Sequence, residues 1–193
     1  MNLIKKDHAT VLLGDLVYTI GGYNEKNDTC LQSCEAYEVS SDTWRMVWAM
    51  NTRRSKHAAT KLTDTKILVS GGLNFPEPLS DIEIYDSEID TWTRFPMQLT
   101  IGLVDHCCAC YAKGKIVILG GVNQSQGRFN EVVYRIDLKN RKLKKSGLSK
   151  GKPIKFGARN RIYLHDECIY VAGVTIYLFF SIFLPKIHFF DFV

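Results

Sequence analysis

The sequence lacks the short motifs that accompany nucleotide binding, metal binding and nucleophilic catalysis. Its glycine pairs end apolar runs and do not continue as GxGxxG or GxxxxGK[ST], so no phosphate-binding loop is predicted. Among six cysteines, Cys107, Cys108 and Cys110 lie in a strand-like run. Neighbouring side chains of a strand point to opposite faces, which does not suit one tetrahedral ion. We therefore expect no enzyme activity, cofactor or metal, and we interpret the cysteines as small buried hydrophobic residues in a reduced compartment.

Acidic residues are missing from residues 139–161, a stretch with ten basic residues. The chain has 25 Lys and Arg against 20 Asp and Glu, so the remainder holds 15 basic residues against 20 acidic ones. Phe156 is the one aromatic residue of the stretch, too few for the stacking surfaces that bind single-stranded nucleic acid. We expect a solvated outer strand and loop, and the alternative is a weak contact with an anionic surface such as a filament or nucleic acid. Nucleic acid is not predicted as a partner.

Charge of either sign is missing from residues 168–185, which approach the length of a membrane span. Residues 174–193 also have no counterpart among the repeats described below. Three interpretations of this apolar tail stay open: a translated intron or frameshift, an adventitious apolar strand, or a tail anchor.

The amino terminus lacks the apolar core of a signal peptide. Lys5 and Lys6 are followed by a mixed sequence up to Asp15, so secretion is not expected. We expect a cytoplasmic protein of the cytosol or cytoskeleton and do not predict a membrane as its partner.

What the sequence does contain is a repeat. A short apolar run that ends in two glycines recurs, with 50 residues from Gly22 to Gly72 and 49 from Gly72 to Gly121. A histidine precedes each run at the same spacing of 49 residues: His8, His57 and His106. A fixed period of this length indicates one supersecondary unit copied in tandem.

Each copy is predicted to contain four strands. After the glycines, Tyr37 precedes Trp44 and Tyr85 precedes Trp92, both by seven residues with a polar turn between them. This spacing suits two antiparallel strands whose aromatic rings are cross-strand neighbours. The unit is therefore a strand after the histidine, the run into the glycine pair, the strand that carries tyrosine and the strand that carries tryptophan.

Four strands, a period near fifty and the tyrosine–tryptophan pair resemble the kelch repeat, whose family fold is the β-propeller. The segments LQSCEAY at 31–37 and LSDIEIY at 79–85 resemble the corresponding segments of the Kelch-like adaptor family in sequence as well as in spacing. The resemblance implies an all-β, incomplete kelch-type propeller with three four-stranded blades and part of a fourth. The expected domains are a lead-in at 1–7, kelch repeats over 8–173 (about 8–50, 57–97, 106–147 and a partial 159–173) and the apolar tail at 174–193.

The resemblance also implies a function. In the Kelch-like family the propeller binds substrates for a cullin-dependent ubiquitin ligase, and a separate BTB domain, which residues 1–193 do not resemble, recruits the cullin. The expected partner is thus a protein substrate with an acidic segment, and the cullin only through a BTB domain. The alternative is an actin-binding cytoskeletal kelch protein, in which residues 139–161 face the acidic filament.

The loops that follow the glycine pairs differ in sequence although the strands around them are alike, and variable loops on a repeated scaffold usually carry binding. We expect them to share one face with the connection between the first two blades. Arg54 is expected to grip a partner's carboxylate, because guanidinium forms two parallel hydrogen bonds with one. The predicted binding residues are Tyr23, Asn24, Arg53, Arg54, Ser55, Asn74, Phe75, Asn123 and Gln124.

The three aligned histidines allow two interpretations. Equivalent positions on adjacent inner strands could hold a metal ion between them. However, the fourth copy has Arg159 at this position. We therefore favour histidines that form hydrogen bonds at the junctions between blades.

Overall fold

Short strands joined by turns and connecting segments make up the described parts of the chain. A computed structural model describes residues 4–130, 132–147, 161–165, 168–172, 179–182 and 187–190, with side chains up to Lys145. Every regular element in these ranges is a β-strand. Among the described residues no helix has the length and hydrophobicity needed to cross a membrane.

The first blade is a four-stranded antiparallel sheet in which neighbours in sequence are neighbours in space. Its strands are β1 (Ala9–Leu13), β2 (Leu16–Asn24), β3 (Thr29–Glu38) and β4 (Thr43–Val47). These are the four predicted strands, in the predicted order.

The second and third blades repeat this sheet. The second region contains β5 (Ala58–Lys61), β6 (Lys66–Ser70), β7 (Leu73–Asn74), β8 (Glu77–Pro78), β9 (Ile82–Asp86) and β10 (Thr91–Arg94). The third contains β11 (Val104–Ala112), β12 (Lys115–Asn123), β13 (Arg128–Phe129), β14 (Val132–Asp137) and β15 (Lys142–Gly147). The second blade is β5-β6-β9-β10, with β7 and β8 paired in its loop, and the third is β11-β12-β14-β15, with β13 paired to β12.

Beyond the third blade, four strands are described. They are β16 (Arg161–His165), β17 (Cys168–Ala172), β18 (Phe179–Ile182) and β19 (Ile187–Phe190), and they form two two-stranded sheets, β16-β17 and β18-β19. The architecture confirms the predicted all-β incomplete propeller. The basic stretch is described from residue 139 to residue 147, and residues 148–160 lie outside the described residues. The non-kelch character expected of the apolar tail at 174–193 stays a prediction.

The aromatic pairs occupy the predicted cross-strand positions. Tyr37 lies opposite Trp44, with ring centroids 5.0 Å apart, and Tyr85 lies opposite Trp92 at 5.1 Å. These separations are within the range in which aromatic pairs add stability beyond the area that they bury.

Two hydrophobic layers hold the three blades together. In β6, neighbouring side chains point to opposite faces, so Ile67 and Val69 pack toward the first blade and Leu68 toward the third. All three are fully buried, which is the pattern of a sheet covered on both faces.

Among the described residues, no other blade covers the equivalent tyrosine and tryptophan of the first blade, and we call this side its free face. Tyr37 and Trp44 are half-buried, whereas Tyr85 and Trp92 at the equivalent positions of the second blade are buried under the first. Each blade thus completes the core of its neighbour, as expected for a stack of repeats.

The glycine pairs are required where one blade meets the next. Gly72 has φ of 96°, and a Cβ placed there would lie 2.6 Å from the carbonyl oxygen of Ser55. Its own amide donates a 2.8 Å hydrogen bond to the carbonyl of Leu103. Any side chain would separate these backbones, so the pair is a packing requirement, as predicted from the absence of a phosphate-loop continuation.

Candidate partner-binding face

Strands β2, β6 and β12 all end at the same edge of their sheets, where their loops meet the connections between blades. We call this edge the loop face; it consists of residues 23–30, 53–55, 73–79 and 122–129. Ser55 donates its amide to Leu73 O at 2.9 Å, and Gly22 donates to Arg54 O at 2.8 Å. The connection between the first two blades therefore lies against the loops of both, as expected.

The predicted residues of the loop face differ in accessibility. Phe75 is 75% exposed, and Arg53 and Gln124 are also exposed. Tyr23, Asn24 and Asn74 are half-buried. These six residues offer an aromatic ring, a cation and amide groups at the surface.

Some of these side chains are partly occupied by their own loops. The hydroxyl of Tyr23 donates to Asp28, and the Asn24 Oδ1 atom accepts hydrogen bonds from the amides of Lys26 and Asn27 at 2.9 and 3.2 Å. Arg53 donates to Thr29 Oγ1 at 3.2 Å. Such local bonds fix the loop backbones in place and leave Phe75 as the most prominent apolar group of the face.

Three predicted residues are buried. Ser55 is 2% exposed and Asn123 7% exposed, and Arg54 has no exposed surface. The backbone of Ser55 pairs with Leu73, so Ser55 belongs to the support of the face.

The expectation that Arg54 grips a partner's carboxylate is corrected by its surroundings. Its Nη2 atom lies 2.8 Å from Asp81 Oδ2 and 2.6 Å from Glu83 Oε1, and Nη1 donates to the carbonyl of Gly71 at 2.7 Å. The chemistry expected of a bidentate guanidinium is present, but the carboxylates are the protein's own. Arg54 holds the connection against the second blade.

Glu83 is a central residue that the sequence analysis missed. Besides Arg54, its carboxylate accepts the amides of Asn51 and Thr52 at 2.8 and 3.0 Å and the Asn51 side chain at 2.7 Å. Four donors offset the cost of burying this charge. A signal was present, because a glutamate stands two residues before the tyrosine in both of the first two repeats, Glu35 and Glu83.

The first blade has an equivalent buried ion pair, in which a lysine takes the place of the arginine. Lys5, 49 residues before Arg54, is buried with its Nζ 3.1 Å from Glu35 Oε2. The third blade replaces the pair: Leu103 stands in place of Arg54, and Tyr134 in place of Glu83. Tyr134 forms a 2.8 Å hydrogen bond with the Thr100 hydroxyl. Equivalent junctions of the repeat are therefore stabilised by a buried ion pair in the first two blades and by a neutral hydrogen-bonded pair in the third.

His57 and His106 lie at the junctions between blades. His106 Nε2 is 2.9 Å from the hydroxyl of Ser70, which belongs to the second blade, and the His57 ring lies close to Gly21. Burial lowers the pKa of His106 to about 4 and that of His57 well below its usual value. No group of three or more potential metal ligands occurs among the described residues. The bond between His106 and Ser70 is of the kind predicted.

The described cysteines are free thiols, and Cys30, Cys34 and Cys107 are buried. Burial raises the pKa of the Cys34 and Cys108 thiols to about 12. A thiol with so high a pKa stays protonated at neutral pH and is a poor nucleophile.

Comparison with known families gives one match over most of the chain. Residues 7–193 match the family described as the KLHDC2/KLHL20/DRC7 Kelch-repeats domain.

Curated relatives are similar over parts of their length. Kelch-like protein 41a of Danio rerio is 36% identical over 88 residues, which are 46% of this chain and 14% of that protein. Kelch-like protein 23 of Homo sapiens is 27% identical over 117 residues, which are 61% of this chain and 20% of that protein. The aligned part of the chain thus spans a fifth or less of the length of these two relatives.

A solved structure, described as "Structure of YjhT", has a similar backbone. It superposes with a TM-score of 0.73 at 12% identity and covers 87% of this chain and 58% of the other. At this identity the likeness concerns the fold.

Proposed function

The chain belongs to the kelch-repeat family, of the Kelch-like type, and from this premise we propose that it is a non-enzymatic protein-binding module whose loop face recognises a partner protein. The observation that carries the proposal is the 75% exposure of Phe75 on loops that rigid strands hold in place. Large exposed aromatic side chains are enriched among the residues that dominate binding energy.

The finer proposal is that the partner is a substrate of a cullin-dependent ubiquitin ligase. The Kelch-like relatives support this role, in which a BTB domain elsewhere in a longer protein would recruit the cullin. The bound segment is proposed to be acidic, because Arg53 is exposed on the face. The proposed location is the cytoplasm.

The test compares two exposed apolar residues of the second blade. Phe75 lies on the loop face, and Ile89, which is 67% exposed, lies in the turn at the opposite end of the sheet. Proteins captured from a cell lysate by the wild-type chain are identified, and the main one is purified and titrated with Phe75→Ser and Ile89→Ser.

Phe75→Ser is expected to weaken binding by about 2 kcal/mol or more, as for a central aromatic anchor, and Ile89→Ser to have little effect. Equal losses for the two variants would contradict the proposed face. Ubiquitination of the captured protein when the kelch chain is fused to a cullin-binding domain would support the adaptor role, and its absence would count against that role.

A second candidate, actin binding, is favoured by one observation. Five basic residues at the end of the third blade are exposed: Lys139, Arg141, Lys142, Lys144 and Lys145. Electrostatic contacts between these residues and an acidic filament are screened beyond about 8 Å at physiological salt, so binding should be stronger at low salt. Co-sedimentation with actin filaments at low and physiological salt tests it, and a Lys142→Glu, Lys144→Glu variant that still pellets with filaments would reject it.

A further inference from the structure

The outer strand of each blade is the edge of its sheet. Within the part of the chain that the structure describes, no strand pairs with the outer side of β4, β10 or β15. Alternate residues of such a strand direct their backbone N–H and C=O groups away from the sheet, where a further strand can pair with them. Charged side chains and proline on the edge oppose this pairing.

The first blade lacks a protecting charge that the other two blades have. One equivalent position of the outer strands holds Arg94 in the second blade and Lys145 in the third, and both are exposed. In β4 this position holds Met46, which pairs with Glu35 as Arg94 pairs with Glu83. Met46 is 51% exposed. The position therefore carries a cation in two blades and an apolar side chain in the first.

Two tryptophans flank Met46 along the edge. Trp44 lies two residues before it and is half-buried, and Trp48 lies two residues after it and is 64% exposed. Alternate residues of a strand share a face, so Trp44 and Met46 project on the same side of the sheet. Arg45, the one charged residue of β4, projects on the other side. The edge of the first blade thus has an apolar side.

The second blade holds the end of this edge in place. The Trp48 amide donates to Asp90 Oδ1 at 3.0 Å, and the Trp48 carbonyl accepts a hydrogen bond from Trp92 Nε1 at 2.9 Å. A surface that is already ordered loses little further conformational freedom on binding. The edge is therefore preformed for pairing with another strand.

We infer that β4 pairs with β4 of a second copy of the chain, so that two four-stranded first blades become one continuous sheet. The residues of the edge favour this partner because they are self-complementary. An antiparallel pair centred on Arg45 places two like charges directly opposite each other, which is destabilising. A pair centred on Met46 places Met46 opposite Met46 and Trp44 opposite Trp48 of the second copy, and contacts between aromatic rings and with sulfur are favourable.

This association concerns a surface other than the loop face and does not rest on the proposed function. In an antiparallel pair, equivalent ends of the two strands lie at opposite ends of the ladder. The loop faces of the two copies therefore point in opposite directions, and both stay open to partner proteins. Two strands of five residues form a small contact, so the dimer is expected to be weak and to depend on protein concentration.

Sedimentation velocity of the full chain over a series of concentrations tests the association. The wild type should shift from monomer to dimer as the concentration rises. Met46→Lys should weaken the association about tenfold or more, because a charge on the edge opposes strand pairing. Leu12→Lys is the matched control, since Leu12 is exposed on β1 at the other edge of the same sheet, and Lys61 occupies its position in the second blade.

A second disrupting variant is Trp48→Ser, which leaves the backbone bonds to the second blade in place and should weaken the association severalfold. Urea unfolding of each variant shows whether a loss of association accompanies a loss of the fold. A wild type that stays monomeric across the series would overturn the inference. Equal losses for Met46→Lys and Leu12→Lys would also overturn it, because they would assign the contact to net charge or to the free face.

Cysteine substitutions test the register. Directly opposite residues of an antiparallel pair have Cα atoms about 4.5–5.5 Å apart, which a disulfide can span. Met46→Cys should therefore form a covalent dimer on oxidation with diamide, and Arg45→Cys, which lies opposite Val47 of the second copy, should form much less. The wild type, with its own cysteines, gives the background. Equal cross-linking of the two variants, or none through Met46→Cys, would contradict the proposed pairing.

Discussion

Arg54 Nη2 lies 2.6 Å from Glu83 Oε1, and neither side chain has any exposed surface. Arg54 comes from the connection between the first two blades, and Glu83 comes from β9 of the second. Because Glu83 also accepts the amides of Asn51 and Thr52, one buried carboxylate positions most of this connection. The pair therefore sets the geometry on which Arg53 and the neighbouring loops depend.

Arg54→Ala is predicted to destabilise the chain strongly. It leaves the Glu83 carboxylate buried without its cation, and breaking a buried pair in this way costs about 3–5 kcal/mol. Arg54→Lys should cost less, because the first blade places Lys5 beside Glu35 in the same position. Urea denaturation measures both, with Arg53→Ala as the neighbouring control.

Arg53→Ala should change the free energy of unfolding by less than about 0.5 kcal/mol, as is usual for an exposed side chain. If Arg53→Ala and Arg54→Ala are equally destabilising, the buried pair does not have the structural role assigned here.

A second prediction replaces the ionic residues of the second-blade junction by the neutral residues found at the equivalent positions of the third blade. In the third blade, Thr100, Leu103 and Tyr134 occupy the positions of Asn51, Arg54 and Glu83. The triple variant Asn51→Thr, Arg54→Leu, Glu83→Tyr should recover at least half of the stability lost in Arg54→Leu alone, because replacing both fully buried partners removes the unpaired Glu83 charge, while the remaining Asp81 carboxylate is partly exposed to water. The midpoints of urea unfolding compare the two, and a triple variant no more stable than the single one would contradict the equivalence of the junctions.

The repeat allowed much of the fold to be predicted from the sequence. The strand order follows from the spacing of four residues, His57, Gly72, Tyr85 and Trp92. Each of them marks one strand, because its packing position cannot be filled by the residues next to it in the chain. Trp92 must lie opposite Tyr85, and Gly72 must accept the close approach of Ser55.

The role of Arg54 could not be predicted in the same way. An arginine beside a variable loop suits a partner's carboxylate as well as an internal one. The choice depends on Asp81 and Glu83, which are 27 and 29 residues away in sequence and reach Arg54 only when β9 is paired with β6.

The two tyrosine–aspartate hydrogen bonds provide a matched pair for the third prediction. Tyr85 donates to Asp90 at 2.7 Å and is buried, whereas Tyr37 donates to Asp42 at 2.8 Å on the free face of the first blade. Tyr85→Phe should cost about 1–2 kcal/mol, because a hydrogen bond to a charged group is lost in a shielded site. Tyr37→Phe should cost a few tenths of a kcal/mol, since water replaces the lost partner. Thermal and urea unfolding measure both losses, and a larger loss for Tyr37→Phe would show that the first blade's free face is covered in solution.

The buried histidines predict that the chain loses stability in mild acid. The pKa of His106 is lowered to about 4 by burial, whereas an unfolded histidine titrates near 6.5. Between these values the unfolded chain binds more protons than the native one, so the free energy of unfolding falls as the pH falls from about 7 toward 4. For His106 alone the loss at pH 5 is about 2 kcal/mol, and His57 acts in the same direction. Carboxylates whose pKa is lowered, such as those of Asp86 and Asp137, contribute mainly below this range.

His106→Gln cannot take up the proton, so its free energy of unfolding, measured with urea at pH 7.5 and 5, should fall by about 2 kcal/mol less than that of the wild type. His8→Gln is the control, because His8 is only half-buried and should change the pH dependence less. An unchanged pH dependence in His106→Gln would mean that this histidine is not held neutral at the junction of the second and third blades.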